Sequence, residues 1–168
     1  NTANSCCIRI GKRHYVKCAN IVTVTVSGYE LRWVNEVRCL GNYIVSARYF
    51  KCSLSKCKRS FYSATNAIFG KIGRIASEEV FLHLMYSKCV PILMYGLECY
   101  DMTKTDLKSL DFTVTRVLMK LFRTTNMDII TDCMHFFVVK LPSEMWRDRV
   151  DRFAKNYTRK INRLCHLV

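Results

Sequence analysis

The first third of the chain alternates hydrophobic and polar positions with a period of two, as strands with one buried face do. Residues 7–10 alternate in this way, and residues 21–26 consist almost entirely of Val, Ile and Thr. Residues 29–33 resume the alternation after a Ser-Gly turn signal. β-Branched residues fit a pleated, half-buried surface, so this part of the chain is predicted to form short strands.

A hairpin is predicted at the end of this β-rich part. Residues 37–40 and 43–45 are two short apolar segments that flank Gly41 and Asn42. Glycine adopts positive φ without steric cost, and a pair of this kind is typical of two-residue hairpin turns. We therefore expect an antiparallel hairpin whose turn is formed by Gly41 and Asn42.

From about residue 53 the hydrophobic period becomes helical. The apolar positions that share one face are Leu54, Cys57, Phe61, Ala64 and Ile68. The basic residues Lys56, Lys58 and Arg59 fall off this stripe and are predicted to point away from the core. Gly70 and Gly73 follow the stripe, and glycine near a helix end predicts its termination.

Three further helices are indicated by capping residues and apolar stripes. Ser77, followed by two glutamates, predicts an N-cap, and Pro91 is expected to interrupt or kink the helix that follows. Thr103 and Asp106 have the spacing of a capping box, and a last amphipathic helix begins near Pro142. The pattern predicts the α+β class: a small antiparallel β hairpin region followed by a bundle of four to five helices.

Composition adds a strong charge asymmetry to this picture. The chain has 168 residues, of which 50% are hydrophobic, enough for a real core, and its formal net charge is +14. Residues 1–77 contain thirteen Lys or Arg but only Glu30 and Glu36 as acids, and residues 37–77 contain no acid. Such concentrated positive charge predicts a polyphosphate partner, namely nucleic acid.

The sequence gives little indication of disulfide bonds, metal sites, catalysis or membrane-spanning segments. The ten cysteines are spread evenly and are expected to be reduced thiols of an intracellular protein, in the nucleus or cytoplasm. No Cys-x-x-Cys pair, phosphate-binding loop or carboxylate cluster is present, so no metal site and no catalysis by this chain are expected. The longest apolar run, residues 89–97, is too short to span a membrane.

The basic segment 48–74 is the strongest candidate for function. It intersperses Lys and Arg with the aromatic residues Tyr49, Phe50, Phe61, Tyr62 and Phe69. Basic side chains neutralise phosphates, and exposed aromatic rings stack on bases or pack on sugars. A solvated helix face with core aromatics is the alternative, and periodicity favours a core position for Phe61.

Several long segments resemble a known family. Residues 33–41 (WVNEVRCLG) resemble the primer-grip hairpin of reverse transcriptases from non-LTR retrotransposons of the LINE type, Jockey-like elements in particular. Residues 50–54, 58–62 and 66–80 are similar to the thumb of those enzymes, and residues 87–98 (SKCVPILMYGLE) to the next thumb helix. The resemblance covers roughly residues 1–142 and implies that residues 1–47 end the palm and that 48–142 form a helical thumb. The apolar period after Pro142, with basic residues between, predicts that residues 143–168 form a C-terminal basic amphipathic helix.

The resemblance also implies roles for individual residues. Thumb contacts to the sugar-phosphate backbone of RNA or an RNA–DNA duplex would come from Lys51, Lys56, Lys58, Arg59, Lys71 and Arg74. The primer-grip-like turn would consist of Leu40, Gly41 and Asn42. The family's catalytic aspartates and their Mg²⁺ belong to a palm segment that would precede Asn1, so the chain is expected to be a non-catalytic fragment without a cofactor of its own.

Two alternatives remain open at this stage. The chain could be a retroelement thumb repurposed as a structural or interaction module of a larger assembly. It could also act in an active polymerase that receives the missing palm and fingers in trans.

Overall fold

The computed structural model describes residues 5–19, 21–22, 30–73 and 75–159. The chain divides into two compact units, Asn1–Ser53 and Leu54–Val168. The first unit contains the strands and the second contains the helices, which establishes the α+β class. The boundary lies after Ser53, because Lys51–Cys52 pairs with a strand of the first unit, whereas the resemblance implies that the palm ends at residue 47.

Short antiparallel strands make up the described β structure of the first unit. Strands β1 (Ile21–Val22) and β2 (Glu30–Leu31) pair with each other. Strands β3 (Glu36–Cys39), β4 (Asn42–Val45) and β5 (Lys51–Cys52) form a three-stranded sheet in the order β3-β4-β5. The predicted hairpin is therefore present, and a third strand extends it.

The turn of this hairpin lies one residue earlier than the sequence pattern predicts. Cys39 pairs with Asn42, so the two turn residues are Leu40 and Gly41, with φ of 48° and 90°. Two consecutive positive φ values are typical of the type I′ turn, whose twist matches that of the flanking strands. Asn42 belongs to β4, and the prediction of Gly41 and Asn42 as the turn pair was wrong.

The strand predicted at residues 7–10 reduces to a single bridge. Cys7 pairs with Trp33 in parallel, and its backbone donates to the Arg32 carbonyl (2.9 Å) and accepts from the Val34 amide (2.8 Å). The segment then turns at residues 11–16 and forms no longer strand. Residues 7–9 are half-buried, and Ile10 is exposed. Of the strand predicted at residues 21–26, the described part is β1, and residues 23–26 lie outside the described residues.

Helix α1 (Leu54–Ile72) opens the second unit. Phe61 and Thr65 are buried on its inner face, and the Thr65 hydroxyl donates to the Phe61 carbonyl at 2.8 Å. Gly70 lies inside the helix, so it does not end it as predicted. The Gly73 amide closes the helix by donating to the Phe69 carbonyl at 2.9 Å.

The next helical stretch changes its winding because of Pro91. It comprises α2 (Glu78–Leu84), a π-helical turn (Met85–Cys89) and α3 (Val90–Leu93). Proline has no N–H, and its ring clashes with the carbonyl four residues earlier in an α-helix. The wider turn just before Pro91 accommodates this, and the Val90 amide donates to the Met85 carbonyl five residues back. The predicted interruption is confirmed.

Three helices complete the second unit. Helix α4 (Lys104–Phe122) begins with the predicted capping box, in which Thr103 Oγ1 accepts from the Asp106 amide at 3.1 Å. Helix α5 (Met127–Phe136), which the sequence pattern did not indicate, is capped by Asn126. Helix α6 (Pro142–Arg159) begins where the sequence predicts. With α2 to α3 taken as one helix, the described part of the bundle has five helices, within the predicted four to five.

The core of the bundle lies between α1, the α2–α3 stretch and α4. Its largest fully buried side chains include Phe61, Phe81, Met85, Leu93, Met94, Leu97, Leu110, Leu118 and Ile130. Helix α6 is joined to this core through its first half. Trp146 Nε1 donates to the Leu97 carbonyl (3.0 Å), and Arg149 donates to the Met94 carbonyl (2.9 Å). In the described ranges, no helix combines the length and apolar character required to cross a membrane.

Candidate nucleic-acid interface

Helix α1 presents basic residues on the side away from the core. Arg59 and Lys71 are exposed and Lys56 is half-buried. At about 100° per residue, the three side chains fall within an arc of roughly 120° that faces away from Phe61. Along the axis, Lys56 and Lys71 are separated by about 22 Å, since each helical residue rises about 1.5 Å. This face can contact several consecutive phosphates of one duplex.

No carboxylate opposes this charge on α1, because the helix contains no Asp or Glu. Within the described parts of the chain, Arg59 and Lys71 form no ion pair and no hydrogen bond through their side chains. The ion pairs found in those parts join Lys140 to Asp148 (3.6 Å) and Arg149 to Glu98 (3.9 Å), both involving α6 or its preceding loop. Arg59 and Lys71 are therefore available to an anionic partner.

Lys58 is engaged within the bundle. Its ammonium donates a short hydrogen bond to Ser109 Oγ on α4, and the residue is half-buried. Lys58 lies three residues before Phe61 and so projects from the same side of α1. The prediction that Lys58 points away from the core was wrong, because a lysine stem can lie along apolar surface while its ammonium reaches a polar partner.

A second lysine joins the same two helices further along. Lys120 Nζ on α4 donates to Asn66 Oδ1 at 3.0 Å and lies 4.6 Å from the centre of the Phe69 ring. Together with the Lys58–Ser109 bond, this contact shows that α1 and α4 run in the same direction. Basic residues at this interface support packing and are not open to a partner.

The remaining predicted contacts lie elsewhere. Lys51 is exposed on β5 of the first unit, whereas Arg74 lies outside the described residues. Leu40 and Gly41 form the tip of the β3–β4 hairpin, and the Leu40 side chain is 87% exposed at positive φ. An exposed leucine in the left-handed region is unusual and carries backbone strain, which is typical of functional turns.

The aromatic residues of segment 48–74 divide into two groups. Phe61 is completely buried, as expected, and Phe69 is half-buried beneath Lys120. Tyr49 is 69% exposed, with the Arg48 guanidinium 5.4 Å from its ring centre. The exposed aromatic surface of this segment therefore belongs to the first unit, and α1 offers mainly charge.

Helix α6 carries a second basic surface, whose residues were not among the binding residues predicted from the sequence. Arg152, Lys155 and Arg159 are exposed and line a shallow depression of about 270 Å³. Their spacing of i, i+3 and i+7 places them on one face of the helix. This spacing is visible in the sequence and is the signal that could have identified them.

Neither a metal-binding group nor an activated thiol was identified among the buried side chains of the described residues. They contain no group of three or more His, Cys, Asp and Glu side chains placed to hold a metal ion. Their cysteines are free thiols, and burial raises the pKa of Cys57 and Cys89, which disfavours the reactive thiolate.

One apolar groove lies on the second unit, between α2 and the loop before α6. Its volume is about 1190 Å³, and its lining includes Val80, Leu84, Phe136, Val138, Val139 and Met145. Phe136 and Val138 are 80% and 82% exposed. Glu79 stands at the rim, and Tyr86, which donates to the Lys140 carbonyl at 2.9 Å, closes one side.

The chain was compared with protein-family models, curated proteins and solved structures, and no match was found in any of the three. The similarity to non-LTR reverse transcriptases therefore depends on the sequence segments described above.

Proposed function

We propose that the chain is the palm end and thumb of a non-LTR retrotransposon reverse transcriptase and that α1 binds the backbone of a template–primer duplex. The observation that supports this most is the outer face of α1, which carries Arg59 and Lys71 without any opposing carboxylate. The long segments that resemble the thumb of that family cover the same helix.

The chemistry of this face fits phosphate contacts better than base readout. Arg and Lys that neutralise phosphates release condensed counterions, which gives affinity without sequence preference. A span of about 22 Å corresponds to roughly two thirds of a duplex turn, since one turn of B-DNA is about 34 Å long. The helix is thus long enough to follow a backbone.

In this proposal the chain holds nucleic acid and performs no chemistry on it. The segments that resemble the family are those of its palm end and thumb, whereas the family's catalytic aspartates and their Mg²⁺ belong to another part of the palm. The protein would act inside the cell, in the nucleus or cytoplasm, where retroelement RNA is found as a template.

The test is salt-dependent binding to an RNA–DNA hybrid, followed by fluorescence anisotropy between 50 and 200 mM salt. Each lost phosphate contact lowers the slope of log K against log salt by about 0.9. The variant Arg59→Ala/Lys71→Ala should therefore reduce the slope by about 1.8, equivalent to a roughly 12-fold smaller loss of affinity over this salt range.

The control is Lys108→Ala/Arg116→Ala, which removes the same two residue types from exposed positions on α4. It should leave the slope near that of the unaltered protein. Equal slopes for all three proteins, or binding that ignores salt, would contradict the proposed role of α1. Primer extension with added Mg²⁺ should yield no product from this chain alone.

The apolar groove favours a second function, that of an interaction module. We take a second copy of this chain as the occupant, because the exposed half of α6 combines Phe153 and Tyr157 with basic residues. That combination complements an apolar groove with a glutamate at its rim. Light scattering should then detect a dimer that Phe136→Asp abolishes, whereas a monomer at all concentrations excludes this occupant.

A further inference from the structure

We propose that the first unit contains a nucleotide-binding pocket, formed where the segment around Tyr15 packs beside Trp33. The inference deepens the proposed function, because it assigns a second class of contact, to a base and its phosphate, to the same nucleic-acid partner. It uses residues of the first unit and none of α1.

The pocket has the size of a small-molecule site. Its volume is about 370 Å³, near the lower end of the range of about 300–1,000 Å³ that such sites occupy. Tyr15 and Trp33 supply its aromatic walls, and Arg9, Lys17 and Arg32 supply its charge. A single planar ring with its attached sugar and phosphate suits this volume, whereas a helix or folded partner does not.

Hydrogen bonds hold the aromatic wall in place. Trp33 Nε1 donates to the Ala19 carbonyl at 2.9 Å, so the indole cannot rotate freely. The Arg9 guanidinium lies 5.7 Å from the centre of the indole ring and donates to the Val16 carbonyl at 2.9 Å and the Arg13 carbonyl at 3.2 Å. Arg9 therefore connects Trp33 with the 13–16 turn, and the pocket is formed before any ligand arrives.

The adjacent tyrosine is prepared for stacking in a different way. Tyr15 is 77% exposed although it lines the pocket, and His14 contacts its ring edge-on with centroids 5.6 Å apart. His14 Nδ1 lies 3.1 Å from the Gly11 carbonyl oxygen, which fixes the imidazole. An exposed aromatic ring with a supporting neighbour is the arrangement that stacks unpaired bases in proteins that bind single strands.

The charge around the pocket selects an anionic ligand. Arg9, Lys17 and Arg32 all line it, and its described lining contains no Asp or Glu. Arg9 is committed to backbone carbonyls, so Lys17 and Arg32, both exposed, are the groups left to reach a phosphate. An aromatic ring joined to a phosphate can contact both the aromatic and the basic residues of the lining, and a nucleotide has that chemistry and matches the proposed nucleic-acid partner.

The nucleotide could be free or part of an unpaired strand, and both present the same base and phosphate. Trp33 itself reports on binding, because Trp33 and Trp146 are the only tryptophans of the chain. In Trp146→Phe, the fluorescence of Trp33 can be followed while adenosine monophosphate, a single-stranded oligoadenylate or inorganic phosphate is added. We expect saturable quenching by the oligoadenylate, weaker quenching by the monophosphate and none by phosphate.

Pocket variants separate stacking from charge. In the Trp146→Phe background, Tyr15→Ala should weaken oligoadenylate binding about 5- to 100-fold, the range that one stacked base supports. Lys17→Ala should lower the salt slope by about 0.7, the value for one phosphate of a single strand. The matched control Lys12→Ala removes an exposed lysine of the same unit that does not line the pocket, and should change neither quantity.

The outcomes distinguish this inference from the proposed role of α1. Quenching that survives in Arg59→Ala/Lys71→Ala supports the pocket even if duplex binding never depended on α1. Quenching by the monophosphate alone identifies a free nucleotide as the ligand. Absence of quenching by either nucleotide, or equal quenching in Trp33→Phe, where Trp146 is the sole reporter, overturns the pocket and leaves the α1 proposal standing.

Discussion

Replacement of Lys58 by alanine tests whether this lysine stabilises the helical bundle, in contrast to Arg59, which is proposed to bind nucleic acid. Lys58 and Arg59 are neighbours in the sequence and carry the same charge, but Lys58 donates to Ser109 on α4 whereas Arg59 is exposed. We expect Lys58→Ala to destabilise the helical unit with little effect on nucleic-acid affinity. Arg59→Ala should do the opposite.

The magnitude follows from the contact that is lost. A hydrogen bond to a charged group contributes about 1.5–3 kcal/mol when it is well shielded, and partial exposure of Lys58 places it near the lower end. Loss of the packed lysine stem adds to this, so we expect about 1.5–2 kcal/mol in all. With a urea m-value of about 2 kcal/mol/M, the unfolding midpoint should fall by about 0.75–1 M.

The assay is urea unfolding followed by Trp146 fluorescence in a Trp33→Phe background, which reports on the second unit alone. A double-mutant cycle with Ser109→Ala isolates the interaction free energy between Lys58 and Ser109, which should be about 1 kcal/mol. The reasoning is refuted if Lys58→Ala leaves the midpoint unchanged while weakening hybrid binding as much as Arg59→Ala.

Two further predictions concern the hairpin tip and the buried thiols. Leu40→Asn should raise the unfolding free energy of the first unit by about 0.5–1 kcal/mol, because asparagine tolerates positive φ at the first position of a type I′ turn; urea unfolding of Trp146→Phe measures it, and a lower midpoint would contradict it. Burial raises the pKa of Cys57 and Cys89, so the unfolded chain loses its thiol protons first as pH rises above 9.0. The unfolding free energy should therefore decline above that pH and decline less in Cys57→Ala, whereas an unchanged pH profile in that variant would be inconsistent with a raised pKa.

Local signals predicted much of the fold. The Thr103 capping box, the Ser77 N-cap and the interruption at Pro91 occur where expected, because each depends on residues within one turn of helix. The turn pair was displaced by one residue, from Gly41 and Asn42 to Leu40 and Gly41. The sequence favoured Gly41 and Asn42 because both residue types are common in turns. In the structure Cys39 pairs with Asn42, so Leu40 occupies the first turn position at positive φ.

Helix α5 escaped prediction for a related reason. It has only ten residues, against nineteen in α4, so fewer positions reveal a helical period, and the exposed Phe136 at its end resembles a core position in the sequence. Similarly, Phe153 and Tyr157 continue the apolar face of α6, yet both remain exposed because this half of the helix extends past the residues that cover its first half.

The sequence by itself determined that basic charge accumulates on an acid-free segment, because composition and helical period are properties of the chain alone. It also identified α1 as the helix that carries this charge. Only the tertiary structure decided which cations remain available. Lys58 and Lys120 donate hydrogen bonds to Ser109 and Asn66, residues more than fifty positions distant, whereas the side chains of Arg59 and Lys71 have no hydrogen-bond or ion-pair partner among the described residues. The pocket beside Trp33 likewise depends on contacts between segments that the sequence separates, and no local pattern encodes such contacts.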